Sequence, residues 1–98
     1  MKKEKMVPLA EVCKYYKAEL AFINSLKEYE LIEISTINKK SFIHHEQLHQ
    51  LEKLVRLHYD LNVNLEGIDV IDQLLQRIES LQHEILLLKN KLRRFEDV

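Results

Sequence analysis

The feature that most restricts this chain is a repeat near its C-terminal end. Ile71, Leu74, Ile78, Leu81, Ile85, Leu88, Leu92 and Phe95 follow one another at alternating intervals of three and four residues. That spacing is a heptad seam, with Ile71, Ile78, Ile85 and Leu92 at a and Leu74, Leu81, Leu88 and Phe95 at d, and no polar residue interrupts it. A helix carrying such a seam is ~40 Å long at about 1.5 Å per residue, which overshoots any body the preceding residues can build. Each seam side chain gains roughly 1.5–3 kcal/mol on burial, so a wet seam forfeits on the order of 10 kcal/mol. The seam therefore predicts a homodimer. Isoleucine at every a position but one, with mainly leucine at d, favours a two-stranded parallel coil by the usual rule, but the attached bodies leave its direction open. The alternative is that the stripe packs on the chain's own helices.

What precedes the seam also reads as helical. One Gly and one Pro in 98 residues cannot supply the turns of a β-sandwich or barrel. No apolar run exceeds four residues, so no segment is expected to span a membrane. The start, Met1 to Lys5, is charged with no apolar stretch behind it, and a cytoplasmic chain without a secretory signal is expected. Lys and Arg total 15 against 16 Asp and Glu, a formal charge of −1, where a dedicated nucleic-acid binder carries a clear positive excess.

Two units are expected, a body over residues 1–64 and a dimerisation helix over residues 65–98. A first helix begins near Pro8, whose missing N–H suits an opening turn, and faces inward with Leu9, Val12, Cys13 and Tyr16. A second runs from about Ala18 to Tyr29 on Leu20, Phe22, Ile23 and Leu26, after a gap short enough for a helix-turn-helix. From Ile32 the period falls to two, and a small hairpin wing is expected over Ile32 to Ile43, although its turn has no Gly. A third helix follows from about His45 to Leu61 on Leu48, Leu51 and Val55, and Asn64 is placed to cap the last helix.

Few residues suggest chemistry. His45-Glu46-Gln47-Leu48-His49 spells H-E-x-x-H, which in a metalloprotease puts two histidines on zinc and a glutamate on the bound water. A protease also needs a third ligand and a cleft, and a body this small with a projecting helix leaves no room for one. Adventitious binding of a metal by His45, His49 and Glu52 is the lesser alternative. Cys13 shares the inner face of its helix and reads as a small buried hydrophobe. His58 and His83 have no partner at helical spacing. Phosphate loops, nucleophile elbows and paired catalytic carboxylates are absent from the sequence. No enzyme, cofactor or resident metal is expected.

Helix, short turn, helix, wing, helix and long coiled-coil helix resembles the MerR type of regulator, beginning at Glu11-Val12-Cys13 and running to Leu31-Ile32. DNA-binding members of that type usually carry Arg-Tyr-Tyr in the second helix and Gly in the turn. Here the matching positions are Asn24-Ser25-Leu26 and Lys17. From Pro8 to Ile34, Lys14, Lys17 and Lys27 face Glu11, Glu19, Glu28, Glu30 and Glu33, a net charge of −2 that repels phosphate. The cysteines that metal-sensing members place near the long helix are also missing, because Cys13 is the only one.

The chain is more similar to the chaperone-modulator family, CbpM-like proteins that share the MerR outline but act on protein. Cys13, Asn24, Val55-Arg56-Leu57, Leu61, Gly67-Ile68, Val70, Leu74, Ile78, Leu81, Leu87-Leu88, Leu92 and Arg94-Phe95 carry that resemblance. Glu66 stands where proline is familiar, and His44-His45 stand where acidic residues usually follow the wing. The resemblance implies a non-enzymatic regulator that binds the J-domain of a DnaJ/CbpA-like co-chaperone and inhibits its action with DnaK. J-domains present a basic helix to DnaK, and an acidic surface competes for it by complementary charge. The acidic candidates are Glu28, Glu30 and Glu33 after the second helix, with Asp60, Glu66, Asp69 and Asp72 around the junction of the third and fourth. The alternative is a MerR-like transcription regulator touching DNA through its second helix, Lys39 and Lys40.

Overall fold

Pro8 ends a strand and starts a helix. The computed structural model describes residues 5–96, so the charged start and the last two positions of the expected dimerisation helix lie outside the described residues. Strand β1 (Met6–Pro8) leads into α1 (Leu9–Tyr16) and α2 (Leu20–Glu28). The wing is β2 (Ile34–Ile37) and β3 (Lys40–His44); a 3₁₀ turn (His45–Gln47), α3 (Leu48–Tyr59) and α4 (Leu65–Glu96) complete the chain. This is the expected mostly α, MerR-like winged helix-turn-helix with a small hairpin wing and a long C-terminal helix.

The wing turns at Asn38 and Lys39, both at positive φ (51° and 65°), the twist that joins two strands through a two-residue loop. Lys39 thus adopts a conformation usually given to Gly. Strand β1 was not expected. It pairs antiparallel with β3, Val7 opposite Ile43, and makes β3 the centre of a three-stranded sheet ordered β1-β3-β2.

The core gathers Leu9 and Val12 of α1, Phe22, Ile23 and Leu26 of α2, Ile32 and Ile43 from the wing region, Leu51, Leu54 and Val55 of α3, and Ile68 of α4. Two expectations need correction. Leu20 was placed inward but is 53% exposed: it is the first residue of α2, and the core face of that helix begins two residues later with Phe22 and Ile23. The third helix does not start at His45: a 3₁₀ turn comes first, and α3 ends at Tyr59 rather than Leu61.

The α3–α4 junction is tied at several points. Asn62 sits at φ 55°, a left-handed position that Asn tolerates. The Nδ1 of His58 lies 3.0 Å from the Val63 carbonyl, and its ring stacks on Phe22 with centroids 4.2 Å apart. Asn64 caps α4 as expected, its Oδ1 accepting the N–H of Gly67 at 2.7 Å. A Cβ on Gly67 would lie 2.8 Å from Val63 Cγ1 and 2.9 Å from that same Oδ1, so this position has no room for a side chain.

Helix α4 is 32 residues long, and its first turns belong to the body: Ile68 is fully buried, and Asp72 is half-buried against α3. Every residue from Gln73 to Glu96 is exposed. The stripe does not fold back onto the chain's own helices.

Candidate partner-binding surface

The helix-turn-helix keeps its geometry without glycine. Lys17 ends α1 at φ 54°, and the amide of Ala18 donates to the Cys13 carbonyl at 2.9 Å, the closing bond of a left-handed helix cap. Helix α2 then presents Leu20, Ala21, Asn24, Lys27 and Glu28 to solvent. At its N-terminus, where a helix can receive a phosphate, stands Glu19, whose own N–H donates to the Tyr59 hydroxyl at 2.9 Å. Lys27 is the one cation on α2. Lys39 and Lys40 are exposed at the wing tip.

The acidic candidates separate into groups. Three converge on one tyrosine: the phenol of Tyr29 is held above its ordinary value by desolvation first, then by the carboxylate of Glu66, which also hydrogen-bonds to it, and by the charges of Asp69 and Glu28. Two others line a groove between the end of α2, the wing and the 3₁₀ turn. Glu30, Glu33 and Glu46 line it together with Met6, Leu31, Ile32, Ser35, His44 and Gln47. Glu30 is fixed at φ 60° by a second left-handed cap, in which its N–H donates to the Lys27 carbonyl and that of Leu31 to the Leu26 carbonyl, both at 2.9 Å.

Asp60 and Asp72 join neither group. Asp72 accepts from Gln50 at 2.7 Å and from Gln76 at 2.8 Å, which ties α4 to α3. Asp60 lines a separate groove with Glu52, Lys17 and Arg56, where two cations stand among two carboxylates.

Glu46 was missed because it reads as the catalytic letter of H-E-x-x-H. In the fold that pattern organises the groove. The N–H of Glu46 donates to Nδ1 of His44 at 3.1 Å. The Gln47 amide grips the backbone of Glu33, accepting its N–H at 2.7 Å and donating to its carbonyl at 3.0 Å. The 3₁₀ turn also takes His45 out of helical step with His49. Among the described residues, no three His, Cys, Asp or Glu side chains are grouped to hold a metal ion. Cys13 is half-buried against the core, and desolvation raises its thiol pKa.

On the exposed length of α4, seven of the eight seam residues are open to solvent, from 47% for Ile78 to 80% for Phe95, while Ile71 is half-buried. No helix among the described residues is long and apolar enough to cross a membrane.

Against known proteins, the model of the MerR HTH family regulatory proteins matches residues 7–90, which takes in the body and most of α4. The chain belongs to that family. No curated protein and no solved structure matches it. Within this MerR HTH family chain, turn, wing and long helix are all in place, while α2 carries a single cation, Lys27, and the wing tip carries Lys39 and Lys40.

Proposed function

We propose that this MerR-family chain is a non-enzymatic, homodimeric regulator that binds the J-domain of a DnaJ/CbpA-like co-chaperone and inhibits its action with DnaK. The observation that carries the reading is the groove that brings Glu30, Glu33 and Glu46 together with Met6 and Leu31, next to an α2 that holds a single cation. Carboxylates beside apolar side chains suit a basic amphipathic helix: charge steers the encounter, and the apolar groups add contact area. The likeness to chaperone modulators points to the same class of partner. The dimer rests on the solvent-open seam, which a second copy would cover.

Binding to a purified J-domain, followed by calorimetry at two salt concentrations, tests this directly. Micromolar or tighter, salt-weakened binding is expected, with a loss of at least tenfold for the triple variant E28K/E30K/E33K. A wild-type chain that ignores the J-domain overturns the reading; an unaffected triple variant overturns only the site.

The second reading is DNA binding, favoured by the family itself, by the intact turn at Lys17 and by Lys39 and Lys40 at the wing tip. Fluorescence anisotropy against a duplex library at physiological salt separates the two. Sequence-specific affinity would establish the second reading in place of the first.

A further inference from the structure

We propose that the outward face of the wing sheet is a docking surface of split charge. It fits an amphipathic helix of a partner protein that carries cations at one end, carboxylates at the other and apolar side chains between. This extends the acidic groove of the reading above and rests on that groove being a docking site, whichever protein supplies the helix.

Strand register fixes which side chains share the face. Ile43 is fully buried and gathers with the core residues of α1, α2 and α3, so it marks the inner side of β3. Side chains alternate along a strand, which turns Lys40, Phe42 and His44 outward. Pairing sets their neighbours beside them: Met6 opposite His44 and Pro8 opposite Phe42 on one flank, Ser35 opposite Phe42 and Ile37 opposite Lys40 on the other.

The two ends of this face differ in sign. At the His44 end, Met6, Ser35 and His44 line the groove that holds Glu30, Glu33 and Glu46. His44 adds no charge in that arrangement, because its Nδ1 accepts the N–H of Glu46. At the other end stand Lys40 and, in the turn before it, Lys39, both exposed. Lys40 also lines a hollow with Pro8, Phe42 and Leu20, and no carboxylate is among the described residues that line it. Between the ends the face is uncharged, with Phe42 at its centre and Ile37 51% exposed.

From His44 to Lys40 is ~13 Å at about 3.3 Å per residue of strand. A helix covers that distance in about nine residues, so apolar side chains one turn apart reach the middle while its charged ends reach both poles. A wholly basic helix would meet Lys39 and Lys40 with like charge. A nucleic-acid backbone, negative along its length, would be repelled by the three carboxylates. Only a split helix is matched at both ends.

Three labelled helical peptides with one shared apolar face test this against the full chain by fluorescence anisotropy near physiological salt. One has lysines at one end and glutamates at the other, one has lysines at both, and one has glutamates at both. The split peptide is expected to bind about fivefold more tightly than either uniform one. Lys40→Glu, at an exposed position, should reverse the order of the split and all-lysine peptides, and Ile37→Ser should weaken all three. Equal binding of the three, an order that Lys40→Glu leaves unchanged, or no binding by any of them overturns the inference. The J-domain assay above stands apart: the peptide order holding in a chain that ignores the J-domain supports the split face and overturns only the J-domain reading.

Discussion

Gln47 holds Glu33 by both ends of its backbone unit, accepting the N–H at 2.7 Å and donating to the carbonyl at 3.0 Å. One side-chain amide thereby stands in for a neighbouring strand just ahead of β2 and sets where the Glu33 carboxylate meets the groove.

Gln47→Ala removes both bonds at an exposed site where water takes over in part. A loss of about 1 kcal/mol is expected in urea unfolding. The same variant should weaken J-domain binding without any change in charge, because Glu33 is no longer held in place. Binding that survives intact would show that the groove does not need the clamp.

Two left-handed residues offer a cleaner separation of stability from function. Lys17 and Glu30 both close helices at positive φ, where glycine is unstrained. Lys17→Gly and Glu30→Gly should each stabilise the fold by about 0.5–1 kcal/mol, the strain relieved exceeding the added freedom of the unfolded chain. Only Glu30→Gly should also weaken the proposed J-domain complex. That pairing would identify Glu30 as a residue kept in a strained position for the sake of the surface.

Local signals in the sequence were enough for α4 and its cap. The seam repeats within one helix, and Asn64 needs only the next three residues to do its work. Strand β1 was not legible, because three residues become a strand only against β3, and Met6 meets His44 far along the chain. The acidic surface was legible in part. Glu30 and Glu33 stood out by their density, but Glu46 reaches the same groove through the 3₁₀ turn, and nothing in the spacing foretold that turn. Asp60 and Asp72 share the sign of the others and differ only in their neighbours, which tertiary structure alone assigns.

Gly67 should not accept alanine, although alanine is the better helix former by about 1 kcal/mol. The added Cβ would collide with Val63 and with the oxygen of Asn64 that caps the helix. Losing the cap costs about 1 kcal/mol and the overpacking about 1–3 kcal/mol, so Gly67→Ala is expected to destabilise by roughly 1 kcal/mol or more. Chemical denaturation of this variant beside Asn64→Ala measures it. If the cap is the common cause, the two effects will not add.

The phenol of Tyr29 stands among carboxylates between the end of α2 and the start of α4, an arrangement that disfavours its ionisation. Its pKa is raised by desolvation and by Glu66, Asp69 and Glu28, so the folded state binds the phenolic proton more tightly than the unfolded chain, whose tyrosines titrate near 10. The stabilisation is therefore complete below about pH 10 and is lost as pH rises through the folded value, when a phenolate forms among carboxylates. Tyr29→Phe should remove part of that alkaline loss while giving up the hydrogen bond to Glu66 at neutral pH. Tyr16, also raised by desolvation and then by Glu52 and Tyr15, should keep the remainder. Unfolding curves at neutral and strongly alkaline pH, with tyrosinate absorbance followed in parallel, check the sign. An alkaline slope unchanged by Tyr29→Phe would place the limiting group elsewhere.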